Sequence, residues 1–175
     1  MSLFNINQQL PYETFCILVC KKGMVEMMLM RNYQVYLIKN RFVGPYIGRE
    51  NKFFGLFYDF LHSKDVQRRI IGRQILYITK PIPVQELCNL LDNHPNITVL
   101  NGVYYVRLKG KTATFKSTAQ LQIHNHLLNI SSEGGYDAET ILFECIRKSD
   151  AHFLAVDLEN KRYGWLKPVK ERKFI

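Results

Sequence analysis

Ile97-Thr98-Val99-Leu100-Asn101-Gly102-Val103-Tyr104-Tyr105-Val106 is the stretch on which the fold turns. Two runs of β-branched and aromatic residues flank Asn-Gly, the pair that best tolerates the positive φ angles of a two-residue hairpin turn. The pattern predicts a β-hairpin over 97–108. Lys109-Gly110-Lys111 is expected to turn the chain again into a third strand at Thr112–Lys116. An antiparallel sheet is therefore the frame around which the remaining segments must be arranged.

Upstream of the hairpin, Val84, Leu87, Cys88 and Leu91 follow the spacing of one helix face, with Pro83 in the first turn and Pro95 beyond the end, so a helix is predicted over 84–92. Ile75–Thr79 is a short apolar run ended by Pro81 and Pro83 and reads as a strand. Phe53, Phe54, Leu56, Phe57, Phe60 and Leu61 recur at helical spacing and predict a helix over 52–62. Gly44-Pro45 and Gly48 make Val43–Asn51 a loop. Residues 12–42 read as a meander of strands at Thr14–Val19, Val25–Met30 and Gln34–Lys39, with turns at Lys22-Gly23 and Arg31-Asn32.

Downstream, Leu121, His124, Leu127 and Leu128 suit a helix within 118–130, although Leu121 and Ile123 also alternate as a strand would; the helix is preferred. Ser131–Gly135 reads as a loop. Asp137 is expected to cap a helix over 137–148 whose apolar face is Ile141, Leu142, Cys145 and Ile146. A strand at His152–Leu158, a turn at Glu159–Arg162 and a return through Tyr163–Val169 follow. The whole predicts an α+β fold, a single domain over 1–175 with a mainly antiparallel sheet and three to four helices packed against it, on one face. A subdivision into an N-terminal β meander at 1–50 and a mixed region at 52–175 is the alternative reading.

Hydrophobic residues make up 47% of the 175-residue chain and charged residues 22%, a balance that can build one core and excludes a disordered tail. No apolar run approaches the roughly 20 residues needed to span a bilayer, and Met1–Leu10 lacks the pattern of a signal peptide. An intracellular protein without a membrane partner is expected. Cys16, Cys20, Cys88 and Cys145 do not read as a disulfide framework and are taken as buried thiols.

The formal charge is +9, and its distribution is uneven. Between Asp92 and Glu133 the chain carries no carboxylate, yet it holds Arg107, Lys109, Lys111 and Lys116. Lys64, Arg68, Arg69, Arg73 and Lys80 form a second cluster opposed only by Asp65, and Lys161, Arg162, Lys167, Lys170, Arg172 and Lys173 enrich the end of the chain. Such fields attract phosphates and acidic protein surfaces alike.

Strand alternation puts Tyr105, Arg107 and Lys109 on one face and Tyr104, Val106 and Leu108 on the other. An exposed tyrosine can stack on an unpaired base while cations neutralise phosphates. The leading expectation is a small non-enzymatic nucleic-acid-binding protein, DNA or RNA, using Tyr105, Arg107, Lys109, Lys111 and Lys116, with Arg68, Arg69 and Arg73 tracking a phosphate backbone. The plain alternative for both sets is a solvated basic face. A protein-interaction or inhibitory module engaging an acidic partner, anchored by Phe53, Phe57 and Trp165, is the second reading. A metal-dependent nuclease around Asp157 and Glu159 is the third, although both residues fall where a turn expects charge.

No cofactor or metal is expected. His124-Asn125-His126 lacks further ligands at metal-binding spacing, and no phosphate-binding loop, nucleophile elbow or His-Glu-x-x-His helix is present. Val35-Tyr36-Leu37 with Tyr46-Ile47-Gly48 resembles the signature of GIY-YIG nucleases in its two tyrosines alone. No Gly-Ile precedes Tyr36, and residues 52–62 contain no Arg.

Overall fold

The computed structural model describes residues 30–109 and 115–167. In chain order they form β1 (Arg31–Leu37), α1 (Asn40–Tyr46), α2 (Asn51–His62), α3 (Asp65–Ile78), α4 (Val84–Asp92), β2 (Ile97–Leu100), β3 (Val103–Lys109), β4 (Phe115–Ile123), β5 (Leu128–Gly134), α5 (Asp137–Ser149), β6 (Phe153–Asp157) and β7 (Arg162–Trp165). The strands make one antiparallel sheet in the order β2-β3-β4-β5-β1-β6-β7. The class is α+β as expected, with five helices among the described residues.

The Asn-Gly hairpin forms with φ of 51° at Asn101 and 76° at Gly102, and Ile97 lies opposite Val106. From it the pleat sorts side chains onto two faces. On one, Tyr104, Val106, Ala119, Leu121, Leu128, Ile130, Val35 and Phe153 meet Leu87 and Leu91 of α4 and Leu142, Cys145 and Ile146 of α5. On the other, Tyr36, Ile38, Leu154 and Val156 meet Val43 of α1, Phe53 and Phe57 of α2, and Ile71 and Ile75 of α3. Tyr36 stacks on Phe57 with ring centroids 3.9 Å apart. The helices therefore cover both faces, not one: α4 and α5 span the first, whereas α1–α3 cover the second only over β1, β6 and β7. Burial on both sides requires β1 and β6 to be apolar at nearly every position, as Val35–Ile38 and Phe153–Val156 are.

Several segments depart from the sequence reading. Ile75–Thr79 is not a strand: α3 runs on through it, because Ile71, Ile75 and Ile78 fall on one buried side at spacings of four and three, and Thr79 ends the helix with its Oγ1 donating to the Ile75 carbonyl at 2.8 Å. Residues 118–130 are not a helix but parts of β4 and β5, since Ala119, Leu121, Leu128 and Ile130 alternate with Gln120, Gln122 and Asn129, and a helix would have buried the amides. The expected loop at Ser131–Gly135 is mostly β5. Arg31 and Asn32 pair with Ser132 and Ser131 instead of turning, and part of the expected loop at 43–51 is α1, held down by Val43. Asp137 sits in the first turn of α5, with Tyr136 at the cap position. The expected strands at 14–19 and 25–30 lie almost wholly, and the turn at Lys109-Gly110-Lys111 largely, outside the described residues.

Candidate functional site

Helix α3 shows two sides of opposite fate. Ile71 and Ile75 are buried against the sheet, and Gly72 lets α2 approach so closely that a Cβ there would lie 3.2 Å from the Phe60 ring. Around the axis, Val66, Ile70, Arg73 and Tyr77 line up at spacings of four, three and four on the solvent side, with Arg69 and Leu76 beside them. Val66, Ile70, Leu76 and Tyr77 are each more than half exposed. An apolar stripe of this kind on a surface helix marks an interaction site.

The C-terminal end of this stripe is built up by α1. The Arg41 guanidinium lies 4.6 Å from the centre of the Tyr77 ring and 4.8 Å from that of Phe42, and the two rings meet edge to face at 5.4 Å. Lys39 donates from Nζ to the carbonyls of Leu76 (3.2 Å) and Tyr77 (2.7 Å), placing a cation at the helix C-terminus where the macrodipole favours it. Burial and the neighbouring Lys39 charge hold the His126 imidazole below its ordinary pKa, so His126 adds no charge to this cluster near neutrality.

The expected basic residues divide between two places. Arg69 and Arg73 are exposed on the α3 stripe, whereas Arg68 turns back over the Phe60 ring at 4.8 Å. Tyr105, Arg107 and Lys109 are in β3, on the side of the sheet that also carries α1–α3 but beyond the reach of those helices; β3 is three strand spacings from β1, about 14 Å. Arg107 lies over the Tyr105 ring at 5.0 Å. Lys116 is in β4 and Lys111 lies outside the described residues.

The anchors expected for a protein partner need correction. Phe53 and Phe57 are buried in the core, and Trp165 spends its indole N–H on Glu50 Oε1 at 2.9 Å, so these rings hold the fold together. Asp157 is fully buried and accepts from the Asn160 backbone, the Asn160 amide and Arg162, each at 2.9 Å; its carboxylate closes the β6–β7 turn. Among the described residues no group of three or more His, Cys, Asp or Glu is placed to hold a metal, and no helix is long and apolar enough to cross a membrane. The sequence reading missed Arg41, Phe42, Val66, Ile70, Leu76 and Tyr77. The four-three-four spacing across Gly72 was the available signal.

The chain is thus a small α+β protein whose most developed surface feature is a helix face of exposed apolar and cationic residues, the equipment of a binding module. It belongs to the SirA family: the family model described as sporulation inhibitor of replication protein SirA matches residues 31–170. The chain is 40% identical over 149 residues to the sporulation inhibitor of replication protein SirA of Bacillus subtilis (strain 168), covering 83% of this chain and 99% of that protein.

Proposed function

We propose that this chain inhibits DNA replication inside the cell by binding a protein of the replication apparatus, the initiator, through the α1–α3 surface. The relative's description as an inhibitor of replication supports the protein-interaction and inhibitory reading above the nucleic-acid one. Initiation is the step a small stoichiometric binder can block with fewest copies, because one initiator complex licenses a whole round of synthesis.

The observation that carries the reading is the α3 stripe itself. Val66, Ile70 and Tyr77 offer an apolar anchor row, and Arg41, Arg69 and Arg73 rim it with positive charge. A partner with a complementary apolar and acidic patch fits both properties, and aromatic and arginine side chains of this kind carry most of the energy in protein interfaces.

Isothermal titration of the full chain with the initiator protein of the same organism tests this. Saturable binding that Ile70→Glu or Arg73→Glu abolishes, with circular dichroism unchanged, is the expected result. Binding unaffected by both substitutions would remove the site, and no binding by the wild-type chain would remove the partner.

A further inference from the structure

The half of the sheet that α1–α3 leave bare is a second surface, independent of the docking helix. Cross-strand register sets its rows: Tyr105 opposite Gln120, Gln120 opposite Ser131, Ser131 opposite Asn32; and Arg107 opposite Thr118, Thr118 opposite Glu133. Asn129 and Gln122 form the next row. Apart from Tyr105, and Val103 opposite Gln122, these three rows hold amides, hydroxyls and charges. Ser131 Oγ donates to Asn32 Oδ1 at 2.9 Å, so part of the array is already ordered. A shallow depression of about 250 Å³ opens among Met30, Tyr105, Arg107, Gln120, Ser131 and Glu133.

We propose that this depression and the β3 cations beside it bind single-stranded nucleic acid, one base entering against Tyr105 while the backbone follows Arg107 and Lys109. The chemistry of each part supports that occupant. Tyr105 is half-buried and outside the core clusters, and Arg107 already lies over its ring, so a planar, stacking-competent pair faces the opening. Gln120 and Thr118 can donate and accept at base edges, Ser131, whose proton is spent on Asn32, can accept, and the Glu133 carboxylate, two strands from Arg107, accepts from exocyclic amino groups. The charge is distributed to match: β3 supplies Arg107 and Lys109, and the sequence from Asn93 to Ser132 contains no carboxylate. A duplex would present its bases edge-on within grooves too deep for this shallow face, whereas a single strand can splay a base onto it.

Fluorescence anisotropy of the full chain tests the site, with labelled oligothymidylate and oligouridylate of about twelve nucleotides, a duplex of the same length, and polyglutamate as competitor, at low and moderate salt. Single strands are expected to bind more tightly than the duplex. Tyr105→Ala should weaken binding about tenfold or more, while Tyr105→Phe retains it. Arg107→Ala with Lys109→Ala, both at exposed positions, should flatten the salt dependence by roughly 0.7 in log–log slope per cation removed, and this pair keeps the test decisive whatever Tyr105→Ala does to folding. Ile70→Glu on the docking helix should leave oligonucleotide affinity unchanged, which separates this site from the protein interface.

A preference for one oligonucleotide would name DNA or RNA as the source of the ligand, and equal affinity would assign recognition to base and phosphate alone. Absence of binding at low salt would overturn the proposal. Binding indifferent to both the Tyr105 and the Arg107/Lys109 substitutions would overturn it too. So would displacement by polyglutamate as efficient as by oligonucleotide, since that marks a general attraction for polyanions such as acidic proteins.

Discussion

Arg31 donates from Nε to Oε2 of Glu139 at 2.9 Å, and both side chains are almost wholly buried. The pair locks β1 to the first turn of α5. Arg31 also donates to the carbonyls of Gly134 and Gly135 and carries its guanidinium over the Tyr136 ring at 4.3 Å, while Ser132 and Tyr33 donate to Glu139. With its lone pairs and donors so fully used, the pair is costly to break from one side. Arg31→Ala or Glu139→Ala is expected to destabilise the fold by about 3–5 kcal/mol in urea unfolding, whereas replacing both by apolar residues of matching volume should recover much of that loss. A single-variant cost below about 1 kcal/mol would show the pair to be solvated.

Tyr33 gives the same cluster a signature in alkali. Burial, then its hydrogen bond to Glu139 at 2.9 Å, push the phenol up to about 12. The folded pKa lies above the unfolded value near 10. The contribution of Tyr33 to stability is therefore complete below about pH 10 and lost as pH rises toward 12. Ultraviolet titration should find a phenol ionising near 12 that disappears in Tyr33→Phe, while Tyr104, which burial also pushes up, stays un-ionised beyond it; the variant should lose less stability across that window than the wild type.

An acid-side counterpart lies between the α3–α4 connection and the start of β6. Asp150 is pushed up by burial, but the ammonium of Lys80 at 2.7 Å and the His152 backbone N–H at 2.9 Å outweigh that and hold it below its ordinary value. A lowered folded pKa contributes stability above the unfolded value, near 3.9, that is lost as pH falls through the folded one. Lys80→Met should raise the midpoint of acid unfolding; an unchanged midpoint would mean that the backbone donor suffices.

On the proposed docking surface, charge and apolar contact should separate kinetically. Arg73→Ala is expected to slow association with the initiator and reduce its salt dependence, while Tyr77→Ala and Ile70→Ala should mainly speed dissociation, by about tenfold or more at a central anchor. Stopped-flow and surface-based kinetics distinguish the two. If all three act on association alone, the stripe steers the partner without seating it.

The hairpin offers a local test of backbone geometry. Gly102 has φ of 76° and open space around its Cβ position, so Gly102→Val is penalised by conformation and not by collision. A loss of about 1–2 kcal/mol is expected by thermal unfolding. Gly102→Asn, which tolerates the left-handed region, should lose less.

The elements legible in the sequence are those whose signal is local. Asn101-Gly102 dictates its turn chemically, and α2, α4 and α5 bury stripes long enough to display their period. Ile75–Ile78 could not be resolved that way, because four consecutive apolar residues satisfy a strand and a helix equally and the prolines that follow would stop either. β4 and β5 were obscured by Gln120, Gln122, Asn129 and Ser131, poor strand formers whose place is the uncovered side of the sheet. Of the surface residues, Arg69 and Arg73 were visible as charge. Ile70 and Tyr77 were not, since an apolar residue reads as core until the helix that exposes it is known.

The position of β1 between β5 and β6 has a consequence for synthesis. Arg31 leaves the ribosome 108 residues ahead of the glutamate that neutralises it, and β6 follows later still. At translation speeds of about 5–20 residues per second, the strand and its guanidinium wait roughly 6–25 seconds for both neighbours. Through that interval α1–α3 can cover one face of β1, but its two edges and its other face stay open, which makes this strand a natural target for chaperones while the rest is being made.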